Sequence, residues 1–231
     1  MTSAAFRIAF RTAAVAAIAA ALAACQTTAA KKPFKPMPSV SIGEPSKASA
    51  WQAVANPIDE SRVLRVNAAW TGGLAEARLS AAGREAVKEE GALLDPKAAL
   101  ARPDPTPGSY KCRQVTLAKA NEKGPGIERF KPFFCYVEVD GDQLTIVKQT
   151  GSKRPAGRLW EDDDPRRMIF LGSLALGSEE EARAYGEDPK RDVSGVFQRV
   201  GPFRWRLVLP FPREGGSLDV IELTPVADQP G

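Results

Sequence analysis

Residues 193–226 carry the pattern that decides the fold, and they read VSGVFQRVGPFRWRLVLPFPREGGSLDVIELTPV. Three apolar runs, 193–200, 204–211 and 218–226, are separated by stretches rich in glycine and proline. In the middle run every odd-numbered residue is apolar, which places these side chains together on one face. Such alternation between turn signals is typical of antiparallel β-strands. The stretch therefore predicts three strands of one antiparallel sheet.

Five similar runs precede this stretch, so residues 108–231 are predicted to form an antiparallel β domain. The runs are 109–119, 133–140, 143–150, 155–161 and 168–176. Eight strands in a meander can close into an up-and-down barrel, which is either filled by side chains or holds one small ligand. We predict a mainly β fold with N-terminal helices (α+β) and such an eight-stranded barrel. A two-sheet sandwich is the alternative, because strand number does not fix closure.

Residues 51–107 are predicted to be helical and to pack on the barrel. Asn56 is suited to cap a helix, and apolar residues then recur at helical spacing as far as Leu74. The pair Gly72–Gly73 predicts a bend or a weak point in this helix. A second helical stretch is predicted over 82–94.

Residues 1–24 have the pattern of a bacterial lipoprotein signal peptide. Two arginines precede an alanine-rich apolar run at 13–22, and small residues lie directly before Cys25. Cleavage would make Cys25 the first mature residue, acylated on its thiol and its amino group. Several acyl chains anchor firmly, because each buried methylene contributes roughly 0.8 kcal/mol. A spanning helix that includes Cys25 is the alternative, but the apolar run is short for a bilayer.

Residues 25–50 are predicted to be a lipidated, flexible tether, because they are rich in proline and lysine. Gln26 follows the lipidated cysteine, where an aspartate would mark retention in the inner membrane of Gram-negative bacteria. The resemblance to sorted lipoproteins therefore favours the cell envelope, with the lipid anchor in the periplasmic face of the outer membrane.

The charge balance gives no sign of a nucleic-acid partner. The chain of 231 residues has 32 Lys and Arg against 28 Asp and Glu. Two of the arginines lie in the predicted signal peptide, so the mature chain has 32 − 2 = 30 basic residues and is nearly neutral. Basic and acidic residues alternate without forming a basic stripe. We expect a monomer that contacts the membrane through its lipid and does not bind nucleic acid.

The three cysteines are assigned once Cys25 carries the lipid. Cys112 and Cys135 would then lie in the oxidising periplasm, where they are predicted to form a disulfide that stabilises the fold by roughly 3 kcal/mol. A metal site is disfavoured, because the chain has no C-x-x-C pair and no histidine. The same lack of an imidazole excludes Ser-His-Asp, Cys-His and HExxH chemistry. We expect no metal, no cofactor and no enzymatic activity.

Five segments carry a resemblance to a known family. They are 91–96 (GALLDP), 108–113 (GSYKCR), 151–155 (GSKRP) with Gly157, 191–196 (RDVSGV) and 201–210 (GPFRWRLVLP). Together they resemble the bacterial domain-of-unknown-function family numbered four-eight-nine-three, over the chain from about residue 56 to the C-terminus. Its members carry an N-terminal export signal. The resemblance implies no activity, cofactor or catalytic residue.

Two functional hypotheses follow. The first is an envelope interaction or inhibitor-like module, similar in architecture to small lipidated barrels that inhibit bacterial proteases. The second is a lipocalin-like barrel that binds a small apolar or anionic ligand at its mouth, a hypothesis that a solidly packed interior would exclude. Candidate contacts for a ligand or partner are Arg154, Arg158, Trp160, Arg191, Trp205 and Arg206.

The connection at 177–192 is the longest in the β region. It is predicted to begin with a short helix at Glu179–Glu181 and to carry a partner site, because long loops on a barrel often have a function.

Overall fold

A computed structural model describes residues 46–118, 126–212 and 215–227. The predicted signal peptide, Cys25 and most of the predicted tether lie outside the described residues. Within the described ranges, none of the helices is both long and apolar enough to cross a membrane.

In the described chain from residue 46 onward, four α-helices and one turn of 3-10 helix precede the strands. They are α1 (Ala48–Val54), α2 (Pro57–Leu64), α3 (Val66–Ala77), α4 (Ala81–Glu90) and the 3-10 helix Gly91–Leu94. The first helix begins within the last residues of the predicted tether. Asn56 caps α2 as predicted, because its side chain accepts a hydrogen bond from the backbone N–H of Asp59.

The helix is not interrupted at the predicted bend or weak point, since α3 continues through Gly72 and Gly73. A Cβ built at Gly73 would lie 3.0 Å from Cβ of Leu117, so the glycine lets the helix approach the barrel closely. This packing offsets the low helix propensity of glycine. The helical stretch breaks earlier instead, at Arg65, between α2 and α3.

Nine strands follow in the part of the chain that the structure describes, and eight of them close into a barrel. They are β1 (Gly108–Leu117), β2 (Ile127–Arg129), β3 (Phe133–Asp140), β4 (Gln143–Lys148), β5 (Lys153–Glu161), β6 (Met168–Leu176), β7 (Asp192–Gly201), β8 (Arg204–Pro210) and β9 (Leu218–Pro225). Every neighbouring pair is antiparallel, and β9 pairs along β1 to complete the circle. The predicted up-and-down barrel is confirmed, and the closure excludes the sandwich.

The short strand β2 was not predicted. The first half of β1 pairs with β3, whereas Val115 to Leu117 extend beyond the start of β3 and pair with β2 instead. The extension would otherwise expose unpaired backbone N–H and C=O groups at an edge. Three residues are too few to show alternation, so the sequence pattern could not identify this strand.

The apolar side chains form two layers, one inside the barrel and one between the barrel and the helices. The inner layer contains Tyr110, Cys112, Cys135, Val137, Ile146, Leu159, Met168, Phe170, Phe197, Trp205, Leu207, Ile221 and Leu223. The outer layer joins the helices to the outer faces of β1 and β6 to β9, and includes Trp51, Trp70, Leu93, Ile169, Val208 and Val220. The helical region thus covers one side of the barrel.

The predicted disulfide between Cys112 and Cys135 is confirmed. Their Cα atoms are 6.0 Å apart, inside the range of roughly 4.4–6.8 Å that a disulfide needs. Both side chains are buried inside the barrel, where the bridge joins β1 to β3. The bridge therefore fixes the wall at the point where β1 leaves β3 and turns to β2.

Candidate functional site

The two ends of the barrel interior are filled differently. At the packed end, which we define by Tyr110, Phe170, Phe197 and Trp205, the interior side chains are buried and in mutual contact. The rings of Tyr110 and Trp205 meet edge to face, with centroids 5.9 Å apart. At the open end the same strands surround a cavity of about 720 Å³.

Along a single strand, the interior of the barrel changes from filled to hollow between one inward-facing residue and the next. On β8, Leu207 is buried at the packed end, and Leu209, two residues further on the same face, lines the cavity. On β6, a Cβ built at Gly172 would lie 2.6 Å from the ring of Phe170, so that ring fills the space at Gly172. The next interior residue, Leu174, lines the cavity.

The wall of the cavity is largely apolar. All eight barrel strands contribute to it, and its apolar residues include Phe130, Phe133, Pro155, Leu174, Val193, Leu209, Phe211 and Ile221. Cavities of this size with apolar walls and a few polar groups are typical of sites for small molecules.

A polar patch interrupts the wall on β1 and β9. Gln114 and Thr116 point inward from β1, and Asp219 lies directly opposite Thr116 on β9. The hydroxyl of Thr116 donates a hydrogen bond to the Asp219 carboxylate, and the amide of Gln114 donates to Thr116 Oγ1 over 3.3 Å. Asp219 is the one acidic side chain among the described residues that line the cavity.

Lys148, the last residue of β4, places an ammonium group inside the cavity. Its Nζ lies 4.2 Å from the centroid of the Phe133 ring, a cation–π contact. Burial lowers the pKa of Lys148, the positive charge of Arg154 lowers it further, and Asp219 opposes both effects. In the part of the chain that the structure describes, no carboxylate forms a salt bridge with Lys148.

A second basic side chain at the cavity is Arg62, which is already paired. Its guanidinium lies 2.7 Å from the carboxylate of Asp59, a fully buried residue of α2. The hydroxyls of Ser194 and Tyr185 also donate to this carboxylate, over 3.2 and 2.9 Å. Burial raises the pKa of Tyr185. This network attaches α2 to β7 at the margin of the cavity and leaves Arg62 little freedom to bind a ligand.

The family described as Domain of unknown function (DUF4893) matches residues 51–223. The chain belongs to this family. The match begins inside α1 and ends within β9, so the DUF4893 domain comprises the helical layer and the barrel together. No curated protein matches the chain, and no solved structure does.

Three of the candidate arginines lie at the outer surface of the DUF4893 domain. Arg158 pairs with Asp140 over 2.6 Å, and Arg191 pairs with Glu179 over 2.6 Å. Arg154 donates to the carbonyl oxygens of Gly151, Gly177 and Glu179, and so holds two loops at the rim of the open end. None of the three lines the cavity.

Arg206 is buried on the outer face of β8, beneath the helices. Its guanidinium donates to the carbonyl oxygens of Leu93 and Asp95 over 2.9 and 2.8 Å, and lies 4.9 Å from the centroid of the Trp70 ring. Burial lowers the pKa of Arg206 to about 10. The side chain ends the 3-10 helix by satisfying its carbonyl groups, which is a structural role.

The two candidate tryptophans are also placed away from the cavity. Trp160 packs between the barrel and the helices, and Trp205 fills the packed end. The helix predicted at Glu179–Glu181 is wrong. The Glu179 carboxylate accepts a hydrogen bond from the backbone N–H of Leu176 over 2.8 Å and pairs with Arg191, which holds this segment as a turn at the end of β6.

Lys148 was not among the candidate residues, although the sequence contains a signal for it. In the run 143–150, Leu144 and Ile146 lie on one face, Gln143, Thr145 and Val147 lie on the other, and Lys148 continues the face of Leu144 and Ile146. A lysine on the apolar face of a barrel strand indicates a charge directed inward. The pattern does not show whether the charge meets a partner, a cavity or solvent at the barrel rim.

Proposed function

We propose that this DUF4893 domain is a binding module that holds a small organic ligand inside the open end of its barrel. The observation that carries the proposal is the cavity of about 720 Å³. Ligand sites commonly measure roughly 300–1,000 Å³ and combine apolar walls with a few polar groups. The proposed role is binding and includes no catalytic step.

The contrast with the packed end supports this role. Interiors of folded proteins contain few voids larger than a water molecule, because each void forfeits dispersion contacts. At the packed end Leu207 is only 1% exposed, whereas Leu209 on the same face of the same strand remains partly exposed to the cavity. The packed end is thus filled by aromatic rings, whereas at the open end side chains such as Leu209 and Val193 leave space between them.

The first functional hypothesis, an envelope interaction or inhibitor-like module, stays a prediction. A ligand-binding barrel was the alternative, and a solid interior would have excluded it. The interior is solid at one end only, so the cavity moves our preference to ligand binding.

We further propose that the domain works in the cell envelope, anchored by acylation of Cys25. Because Cys25 is outside the described residues, this proposal is supported by the sequence pattern alone. Radiolabelled palmitate should label the wild-type protein, and Cys25→Ser should lose both the label and its place in the membrane fraction. Labelling and membrane retention of Cys25→Ser would contradict the proposal.

The neutral fluorescent probe N-phenyl-1-naphthylamine tests ligand binding. The wild-type protein should enhance its fluorescence saturably, and Leu209→Trp, which places an indole ring into the cavity, should weaken binding at least about tenfold. Phe203→Trp is the matched control, because Phe203 is 75% exposed in the β7–β8 hairpin, remote from the cavity lining. This control should bind as the wild type does.

Two results would overturn the proposal. One is that the wild-type protein binds neither N-phenyl-1-naphthylamine nor its anionic analogue, 8-anilinonaphthalene-1-sulfonate. The other is binding that Leu209→Trp leaves unchanged while circular dichroism shows the variant folded, because the probe would then occupy another surface.

A further inference from the structure

We propose that the ligand of the open end is an organic anion with a single acid group and an apolar body, and that its acid group pairs with Lys148. This inference rests on the proposed function, because it assigns a ligand class to the same cavity. It is supported by the charge of the cavity, the position of Lys148 and the layout of the wall.

The charged groups around the cavity are unequal in sign. Four basic side chains line it, Arg62, Lys131, Lys148 and Lys153, against the one described acid, Asp219. Arg62 is paired with Asp59, while Lys131 and Lys153 are exposed at the rim. Lys148 is the half-buried cation, and it has no salt bridge within the described ranges. The interior therefore presents one positive charge that an anion could neutralise.

The Lys148 ammonium is held in place from two sides. The Phe133 ring lies on one side, with its centroid 4.2 Å from Nζ. The turn after β4 lies on the other, where a Cβ built at Gly151 would be 3.7 Å from Nζ. Gly151 has a φ of +104°, a conformation that favours glycine. The geometry thus positions the cation before a ligand arrives, which reduces the entropy lost on binding.

Burying an ammonium group without a carboxylate partner is unfavourable. Of the two charged neighbours, Asp219 offsets part of this cost, and Arg154, which is fixed nearby by three carbonyl oxygens, adds to it with a second positive charge. Packing alone gives no reason for a lysine at this interior position, where an apolar residue would continue the face of Leu144 and Ile146. A bound anion supplies the missing negative charge. The positive charge of Arg154 would then attract the anion from a distance, without contacting it.

The rest of the wall restricts the ligand to one acid group. Leu174, Val193 and Leu209 offer an apolar surface to the body of the molecule. On β1 and β9, the patch of Gln114, Thr116 and Asp219 suits a hydroxyl or an amide. A second negative charge placed there would be repelled by Asp219. The arrangement fits a carboxylate or sulfonate of an apolar molecule and disfavours a polyanion.

Two probes with the same aromatic frame separate charge from shape. N-phenyl-1-naphthylamine is neutral, and 8-anilinonaphthalene-1-sulfonate adds one sulfonate group. The wild-type protein should bind the sulfonate about tenfold more tightly than the neutral probe, the effect of one charge-assisted contact. Lys148→Met should weaken binding of the sulfonate about tenfold relative to the neutral probe and so remove this preference.

Two variants serve as controls for charge and fold. Lys111→Met makes the same substitution at an exposed position on the outer face of β1, and it should leave both affinities unchanged. Lys148→Arg keeps the positive charge and should retain most of the preference for the sulfonate.

Alkaline pH gives an independent readout. Because the pKa of Lys148 lies below its ordinary value of 10.5, its charge is lost as the pH rises toward that value. The sulfonate stays ionised, so its affinity should fall over this range, while affinity for the neutral probe stays flat. Among the described residues, the other charged groups at or near the cavity are Asp219, Lys131, Lys153, Arg62 and Arg154. The Lys148→Met variant separates their contribution from that of Lys148.

The outcomes distinguish the two proposals. Equal affinities for the two probes, or a preference that Lys148→Met leaves intact, would overturn the anion assignment while ligand binding in the cavity stands. Absence of binding by either probe, or binding that Leu209→Trp does not weaken, would overturn the proposed function itself.

Discussion

The packed end and the open end of this barrel are built by the same eight strands, yet only one of them is filled. At the packed end the inward positions carry large rings, such as those of Phe197 and Trp205. At the open end, inward positions such as Val193 and Thr116 carry smaller or polar side chains, and the Phe133 ring lies in the wall beside Lys148. Alternation along the strands therefore builds the wall of the barrel. The volume of the inward side chains at each level determines whether the interior there is filled or hollow.

We expect the largest difference in the free energy of unfolding between two leucine-to-alanine variants on β8, one at each end of the barrel. Leu207→Ala removes a buried side chain and should lower the free energy of unfolding by about 2–5 kcal/mol. Leu209→Ala makes the same change on the same face at the open end, where the lost side chain only enlarges an existing cavity. This variant should lower the free energy of unfolding by about 1 kcal/mol. Urea denaturation of both variants measures the difference. Equal losses would mean that the two ends are packed alike.

The disulfide should have the next largest effect, because Cys112 and Cys135 fix the wall between the two ends. Replacing both by alanine should lower the stability by about 3 kcal/mol, since the bridge closes a loop between residues 23 apart in sequence. Both cysteines are 1% exposed, so mild reductants should leave the bridge intact in the folded protein. Identical melting curves for the variant and the wild type, with free thiols titrating in the oxidised wild type, would refute this.

Arg206→Met tests whether a buried cation outside the barrel is purely structural. Removing the guanidinium leaves the buried carbonyl groups of the 3-10 helix without their donor, so stability should fall by about 2 kcal/mol. Probe binding at the open end should stay unchanged, because Arg206 does not line the cavity. A large loss of probe affinity in a folded Arg206→Met protein would show that the helical layer takes part in the site.

Lys148→Met should have the smallest effect on stability, and unlike the preceding variants it should not destabilise the protein at pH 7. The pKa of Lys148 is lowered in the folded protein, so the unfolded chain binds this proton more tightly. Below that lowered pKa the charged lysine therefore destabilises the fold, and stability recovers as the pH rises toward 10.5. Lys148→Met should melt at or slightly above the wild-type temperature at pH 7, with a gap that closes at alkaline pH. A clear destabilisation would indicate a structural role for Lys148.

Much of the fold could be predicted because its signals are local. The runs at 133–140 and 168–176 coincide with β3 and β6, and the meander order follows from short connections. The disulfide followed from the count of cysteines. By contrast, β2 forms only because the end of β1 extends beyond β3, and Gly73 is tolerated in α3 because Leu117 lies against it. Both depend on contacts between distant parts of the chain.

The candidate site was harder to predict for the same reason. Arg206 and Trp205 have the residue types of ligand contacts, yet one satisfies helix carbonyls and the other fills the packed end. The inward direction of Lys148 is readable from alternation in its strand. The cavity in front of it is the sum of side-chain volumes from eight strands, which no single run of sequence contains.

NMR on methyl-labelled protein can show directly which end of the barrel holds a bound ligand. On titration with 8-anilinonaphthalene-1-sulfonate, the methyl signals of Leu174, Val193 and Leu209 at the open end should shift saturably. Those of Val137 and Leu223 in the packed interior should stay in place. Shifts confined to methyl groups on the outer face of the barrel, or no shifts at all, would contradict ligand binding inside the open end.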